Sequence, residues 1–191
     1  MKKIFYIFIL FLFKFNTAYS LIEVDITRGN LDPLPIAVSP LHVDPQSDNY
    51  QETKTKELGE LISSVVEKNF RSTGLFNPLN KDAFVQKPDI AHLKPRFEDW
   101  RLITAQALVT GKLLIKDEKL KIEFRLWDIA ANKEMIALAF TTTPSNWRRV
   151  AHIISDKIYE RLTGETGYFD TRIIYVSETG LRTQRVKKLA I

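Results

Sequence analysis

The sequence contains no cysteine. That excludes disulfides, thiolate metal sites, a cysteine nucleophile and the thiol that would carry the lipid of a lipoprotein. The fold must therefore stand on its apolar core alone. Histidine is scarce too. His42, His92 and His152 lie far apart, with no H-x-x-x-H or H-x-x-E spacing to set two ligands on one helix face. His42 beside Asp44 could orient a general base, but no nucleophile is placed by motif next to that pair, and a surface pairing is the plainer reading. His152 falls near the apolar stripe of a helix and reads as a hydrogen-bonded structural residue. The seven glycines (Gly29, Gly59, Gly74, Gly111, Gly164, Gly167 and Gly180) form neither a phosphate loop nor a dinucleotide fingerprint, and no G-x-S-x-G occurs. No catalytic residue, metal or cofactor is assigned, and the chain reads as a binding protein rather than an enzyme.

Long apolar runs are missing as well, with one exception at the start. In MKKIFYIFILFLFKFNTAYS, Lys2 and Lys3 precede an apolar stretch over residues 4–13, and Ala18-Tyr19-Ser20 supplies small residues at a cleavage site. A membrane span needs about 20 apolar residues, twice this run. A basic head, a short apolar stretch and a small-x-small exit describe a secretory signal peptide over 1–20, cut between Ser20 and Leu21. An excess of one charge is also lacking. The chain has 28 basic and 23 acidic side chains, and removing Lys2, Lys3 and Lys14 with the leader leaves 25 against 23, a balance of +2. Nucleic-acid steering by a basic face has little support.

What is present is regular patterning. Leu21-Ile22-Glu23-Val24-Asp25-Ile26 alternates as an extended arm, and Gly29, Asn30, Asp32, Pro33 and Pro35 separate it from a buried strand at Ile36-Ala37-Val38. Such a terminal strand can serve as the domain's own edge or add to the sheet of another protein, and can exchange between the two. Residues 55–71 carry Leu58, Leu61, Ile62, Val65, Val66 and Phe70 at helical spacing, with Asn49 and Glu52 as a capping pair and Gly74 as a left-handed stop. Leu75-Phe76 leads into a short strand, and residues 96–101 suggest one or two helical turns. Three strands follow at 107–115, 120–126 and 134–143. The middle one has the cleanest period of two, and the short connections suit antiparallel hairpins. A second helix begins after Pro144 with Ser145 as N-cap, carries Trp147, Val150, Ala151, Ile154, Ile158 and Leu162 on one stripe, and stops at Gly164. Arg148 and Arg149 sit in its first turn, where the macrodipole disfavours cations; a solvated pair is the plainer reading, and an external or cross-domain acidic partner is the other. The pattern predicts an α+β fold, a mixed sheet with two main helices on one face.

Two apolar-rich runs, 172–177 and 184–191, flank Glu178-Thr179-Gly180-Leu181 and read as a further hairpin. A lone hairpin is marginal in water, so it belongs to additional β structure. Gly167 marks the boundary before it.

The arm together with PIAVSPL, FEDWRLITAQALVTGKL, FRLWD and NWRRVAHIISDKIYERLTGETGYFDTRIIYVSE resembles the amino-terminal half of the TolB family, the periplasmic component of the Tol-Pal system of Gram-negative bacteria. The resemblance implies an anticodon-binding-domain-like α+β domain followed by a six-bladed β-propeller, and a docking protein that maintains outer-membrane integrity and invagination during cell division. It implies a periplasmic location. It also implies that TolA is bound by the segment Leu21-Ile22-Glu23-Val24-Asp25-Ile26-Thr27-Arg28-Gly29-Asn30-Leu31-Asp32, and that Pal and some colicins are met through the propeller. The expected organisation is a leader at 1–20, an arm at 21–33, an α+β domain at 34–166 and the first hairpin of a truncated propeller at 167–191, so Pal binding does not carry over. Two alternatives remain open: a fragment of a split or decaying gene, and a nucleic-acid-binding module by fold analogy alone.

Overall fold

The computed structural model of the chain describes residues 22–24, 32–50, 52–172, 174–181 and 183–190. The leader and its cleavage position at Ser20 and Leu21 lie outside them. Its centre is a mixed sheet of β1 (Leu34–Val38), β2 (His42–Val43), β3 (Phe76–Pro78), β4 (Ala107–Lys116), β5 (Lys119–Asp128) and β6 (Lys133–Thr142). The strand order is β3-β1-β4-β5-β6, with β2 also on β4. β1 runs parallel to β3 and β4, whereas β4-β5 and β5-β6 are antiparallel hairpins. The alternation in β5 decides its faces: Leu120, Ile122, Phe124 and Leu126 are buried, while Lys121, Glu123 and Arg125 point away from them.

The buried face is covered by α1 (Thr53–Thr73) and α4 (Trp147–Thr163). Leu58, Ile62, Val65, Val66 and Phe70 of α1 and Val150, Ala151, Ile154, Ile158 and Leu162 of α4 join the sheet side chains in one cluster. Each such buried side chain contributes about 1.5–3 kcal/mol of transfer free energy, so this cluster dominates the stability. The two-helix layer is as the periodicity predicts. A second layer was not read from the sequence. α2 (Pro88–Ala91) and α3 (Phe97–Leu102) cover part of the opposite face, where Ala91 and Trp100 pack with Ala37, Leu108 and Ile129. Gln86 organises that layer: its side-chain oxygen accepts from the Arg96 amide at 2.9 Å and the Trp100 indole at 3.0 Å, and its amide group donates to the Lys94 carbonyl at 3.0 Å.

Both predicted helix stops hold. Gly74 and Gly164 have φ of 71° and 76°, and their amides close onto Arg71 and Glu160. Both predicted starts need correction. Asn49 is itself in a left-handed turn, with φ of 54°, and offers its carbonyl rather than its side chain to Glu52. Glu52 is the N-cap of α1 and makes no side-chain cap bond. Ser145 lies inside a 3-10 turn at Pro144–Asn146, which moves the start of α4 to Trp147.

β7 (Tyr175–Thr179) and β8 (Val186–Ala190) pair with each other as a separate two-stranded sheet. Its apolar side chains Tyr175, Val176, Val186 and Leu189 are exposed.

A close approach fixes how α1 lies on the sheet. β1 and β2 occupy the same side of β4, interrupted at Ser39-Pro40-Leu41. There the Leu41 amide reaches the Gly59 carbonyl at 3.3 Å. A Cβ on Gly59 would lie 2.0 Å from the Leu41 carbonyl oxygen, and one on Gly111 would lie 2.7 Å from the Leu41 side chain. Alanine is ordinarily better than glycine within a helix by about 1 kcal/mol. Here the order reverses: Gly59→Ala is expected to lower unfolding free energy by about 2 kcal/mol through forced displacement of the Leu41 backbone. Urea denaturation of the two proteins measures the difference, and an Ala variant as stable as the parent would contradict it.

Candidate functional site

Of the segment that the sequence marks for docking, Ile22, Glu23, Val24 and Asp32 are described, and the remaining positions lie outside the described residues. The three consecutive residues keep the alternation expected of an extended chain. Ile22 and Val24 turn toward the core and pack against it, while Glu23 is exposed. They form no ladder with the sheet. The Val24 amide donates to the Leu162 carbonyl in the last turn of α4 at 2.7 Å, and the Ile22 amide donates to Asp128 Oδ2 at 3.1 Å. The first contact occupies one of the carbonyls that a helix end leaves without an intrahelical partner. The second is a charge-assisted bond to a side chain with no exposed surface.

Asp128 is the residue that sequence reading missed. Its other oxygen accepts from the Ala131 amide at 2.8 Å, so the carboxylate serves both the turn after β5 and the arm. The sequence did carry a clue. Residues 120, 122, 124 and 126 are inward and apolar, and Asp128 falls on the same parity.

The stretch after Gly164 is fastened to α4 as well. Asp156 accepts from the amides of Phe169 at 2.7 Å and Asp170 at 3.1 Å. A Cβ on Gly167 would lie 2.4 Å from Asp156, so the chain turns back tightly here. Tyr168 and Phe169 meet Tyr159 edge-on at 5.6 and 5.9 Å between ring centres. Arg149 then finds its carboxylate in Asp170 at 3.1 Å, while Arg148 lies 4.8 Å over the Trp147 ring. The cations in the first turn of α4 are thus answered from within the chain: one by a carboxylate beyond Gly167, one by an aromatic face.

Among the described residues no group of three or more His, Asp or Glu side chains is arranged to hold a metal ion. No helix among them is long and apolar enough to cross a membrane. His152 meets Asn69 Nδ2 at 3.0 Å, in keeping with a structural role. Sequence distance does not keep the other two histidines apart, because His42 and His92 stack at 4.6 Å between ring centres with 7° between planes.

Fold and surface together define a small α+β domain with an extended segment, residues 22–24, lying on its surface. Residues 22–135 match the model of the TolB amino-terminal domain, and the chain belongs to that family. It is 68% identical over 188 residues to the Tol-Pal system protein TolB of Pelagibacter ubique (strain HTCC1062), an alignment covering 97% of this chain and 42% of the relative. The chain therefore spans about two fifths of the length of the curated relative it matches. Among solved structures, the crystal structure of TolB from Acinetobacter baumannii superposes with a TM-score of 0.60 at 22% identity, covering 81% of this chain and 34% of that one. At that identity the likeness speaks for the fold.

Asp128→Ala leaves the Ile22 and Ala131 amides without their acceptor. Loss of a charged acceptor in a buried site is expected to cost about 1–3 kcal/mol of stability. Hydrogen exchange at Val24 should quicken in the same variant, because residues 22–24 lose one of the two hydrogen bonds described for them. Chemical denaturation and amide exchange read the two effects, and unchanged exchange at Val24 would show that Asp128 does not hold the arm.

Proposed function

We propose that this chain is a non-enzymatic docking protein of the Tol-Pal system. In this reading it works in the periplasm after removal of residues 1–20, helps to link inner membrane, peptidoglycan and outer membrane, and serves outer-membrane integrity and cell division. Residues 21–32 are the TolA-binding segment.

The observation that carries this reading is the shallow attachment of residues 22–24. A backbone bond to Leu162, a bond from the Ile22 amide to the Asp128 carboxylate and two half-buried side chains hold them to α4 and β5. A neutral hydrogen bond contributes about 0.5–1.5 kcal/mol net and one to a carboxylate about 1.5–3, so this hold is of the size that a competing sheet edge with several ladder bonds can replace. The alternation of Ile22 and Val24 with Glu23 suits such an exchange. Apolar side chains leave the domain core and enter the partner's, while the amides change acceptors.

Residues 34–166 are read as the α+β domain proper, and residues 167–191 as the opening hairpin of the β-propeller through which the family meets Pal. Exposed Ile174, Tyr175, Val176, Leu181, Val186 and Leu189 support the second assignment, because a hairpin with so much uncovered apolar surface calls for neighbouring strands.

Calorimetric titration with the carboxy-terminal domain of TolA tests the central assignment. A chain beginning at Leu21 should bind, and one beginning at Pro33 should lose at least about 100-fold in affinity while keeping its circular dichroism, the scale set by removing a whole binding strand. Equal affinity of the two chains would place the TolA site elsewhere.

A further inference from the structure

We propose that His42 and His92 form a proton-operated latch that holds the segment 88–94 against β2 and lets it open on acidification. The geometry is specific. His42 ends the break after Leu41 and pairs in register with Lys112 of β4. His92 follows α2 and is buried. Its Nδ1 lies 2.9 Å from the Pro88 carbonyl, which can only accept, so Nδ1 carries a proton whether the ring is neutral or charged. The His92 carbonyl accepts from Arg125 Nη1 at 3.3 Å. The two rings face each other at 4.6 Å, nearly parallel.

The charges around the pair come from every element packed on it: Asp44 beyond β2, Asp89 on α2, Lys112 on β4 and Arg125 on β5. Lys56 and Glu60 of α1 and Lys87 before α2 share with His42 and Asp89 a cleft of about 370 Å³. Asp44 and Asp89 favour a first proton on the pair, whereas Lys112 opposes it. A proton on His42 sets a cation against the stacked, buried His92 ring, and separation of the rings returns that charge to solvent.

Burial, and then the neighbouring His92, hold His42 below the ordinary histidine value. A depressed histidine pKa means that the opened segment binds more protons than the closed one. Closure is therefore complete above about pH 6.5 and is lost as pH falls through the depressed value. The far end of the segment is tied by Gln86 to Arg96, Lys94 and Trp100 through groups that do not titrate in this range, so the movement is confined to the histidine side.

Amide hydrogen exchange on the full chain, at about pH 7 and about pH 5 and corrected for intrinsic rates, tests this. The amides of His92, Leu93 and Lys94 bond to Pro88 and Ile90 and report on the segment. Their protection should fall at the lower pH, because the opened segment then binds more protons than the closed one. Leu113 and Ile122, in the central hairpin, should keep theirs. His42→Phe retains a ring stacked on His92 but removes the His42 proton site, so the fall in protection between the two pH values should be much smaller in it. If circular dichroism shows that variant unfolded, His42→Gln takes its place with the same expectation. The proposal is overturned by unchanged protection in the parent protein, by an equal fall in the non-titrating variant, or by a fall shared with Leu113 and Ile122.

Discussion

The contact between the Leu41 backbone and the bare α-carbon of Gly59 sets the geometry on which the remaining layers rest. α1 could lie on the sheet at many heights if side chains alone separated them. Here the chain between β1 and β2 touches the helix backbone, and Gly111 opens space for the Leu41 side chain from the sheet side. The approach determines where β2 re-enters beside β4, and therefore where His42 is presented. Glycine within a helix is destabilising in isolation. At this position its missing side chain is what lets the layers close.

α4 has a comparable role for the chain ends. Its inner stripe completes the main cluster through Ile154, Ile158 and Leu162. Its last turn offers the Leu162 carbonyl to the arm, and its middle offers Asp156 to the segment after Gly167. Two stretches distant in sequence thus depend on one helix for their placement, by different chemistry. Residues 22–24 are held by one backbone bond to Leu162, the buried Asp128 carboxylate and half-buried aliphatic side chains. The later segment is held by a carboxylate, an aromatic trio and the Arg149–Asp170 pair.

The opposite face of the sheet is less uniform. The small layer of α2 and α3 covers one part of it, with a buried amide at Gln86 making the connections that a larger apolar core would otherwise supply. Its short helices depend on tertiary contacts, because helices of four and six residues have too few internal bonds to persist alone. The histidine pair lies at its border. A segment with local hydrogen bonds, a cleft beside it and a titratable contact to β2 is where a local opening is expected before any global one.

Much of the fold was legible in the sequence because its elements advertise themselves by period. β5 alternates strictly, α1 and α4 keep one apolar stripe, and Gly74 and Gly164 fall where left-handed stops are needed. The helix starts were misread because a side chain of capping type, Asn49 or Ser145, does not ensure capping geometry when the preceding turn takes another conformation. The alternation at Ile22-Glu23-Val24 identified an arm, but its resting place on Leu162 and Asp128 follows from residues more than 100 positions away. The sequence by itself determined the α+β class, the main elements and the shortage of chemistry-bearing side chains, all of which depend on composition and near-neighbour spacing. Only the tertiary structure decided that Asp128 receives the arm, that Asp170 answers Arg149 and that His42 meets His92. Those contacts join residues by spatial proximity after the sheet has formed, and no local period encodes them.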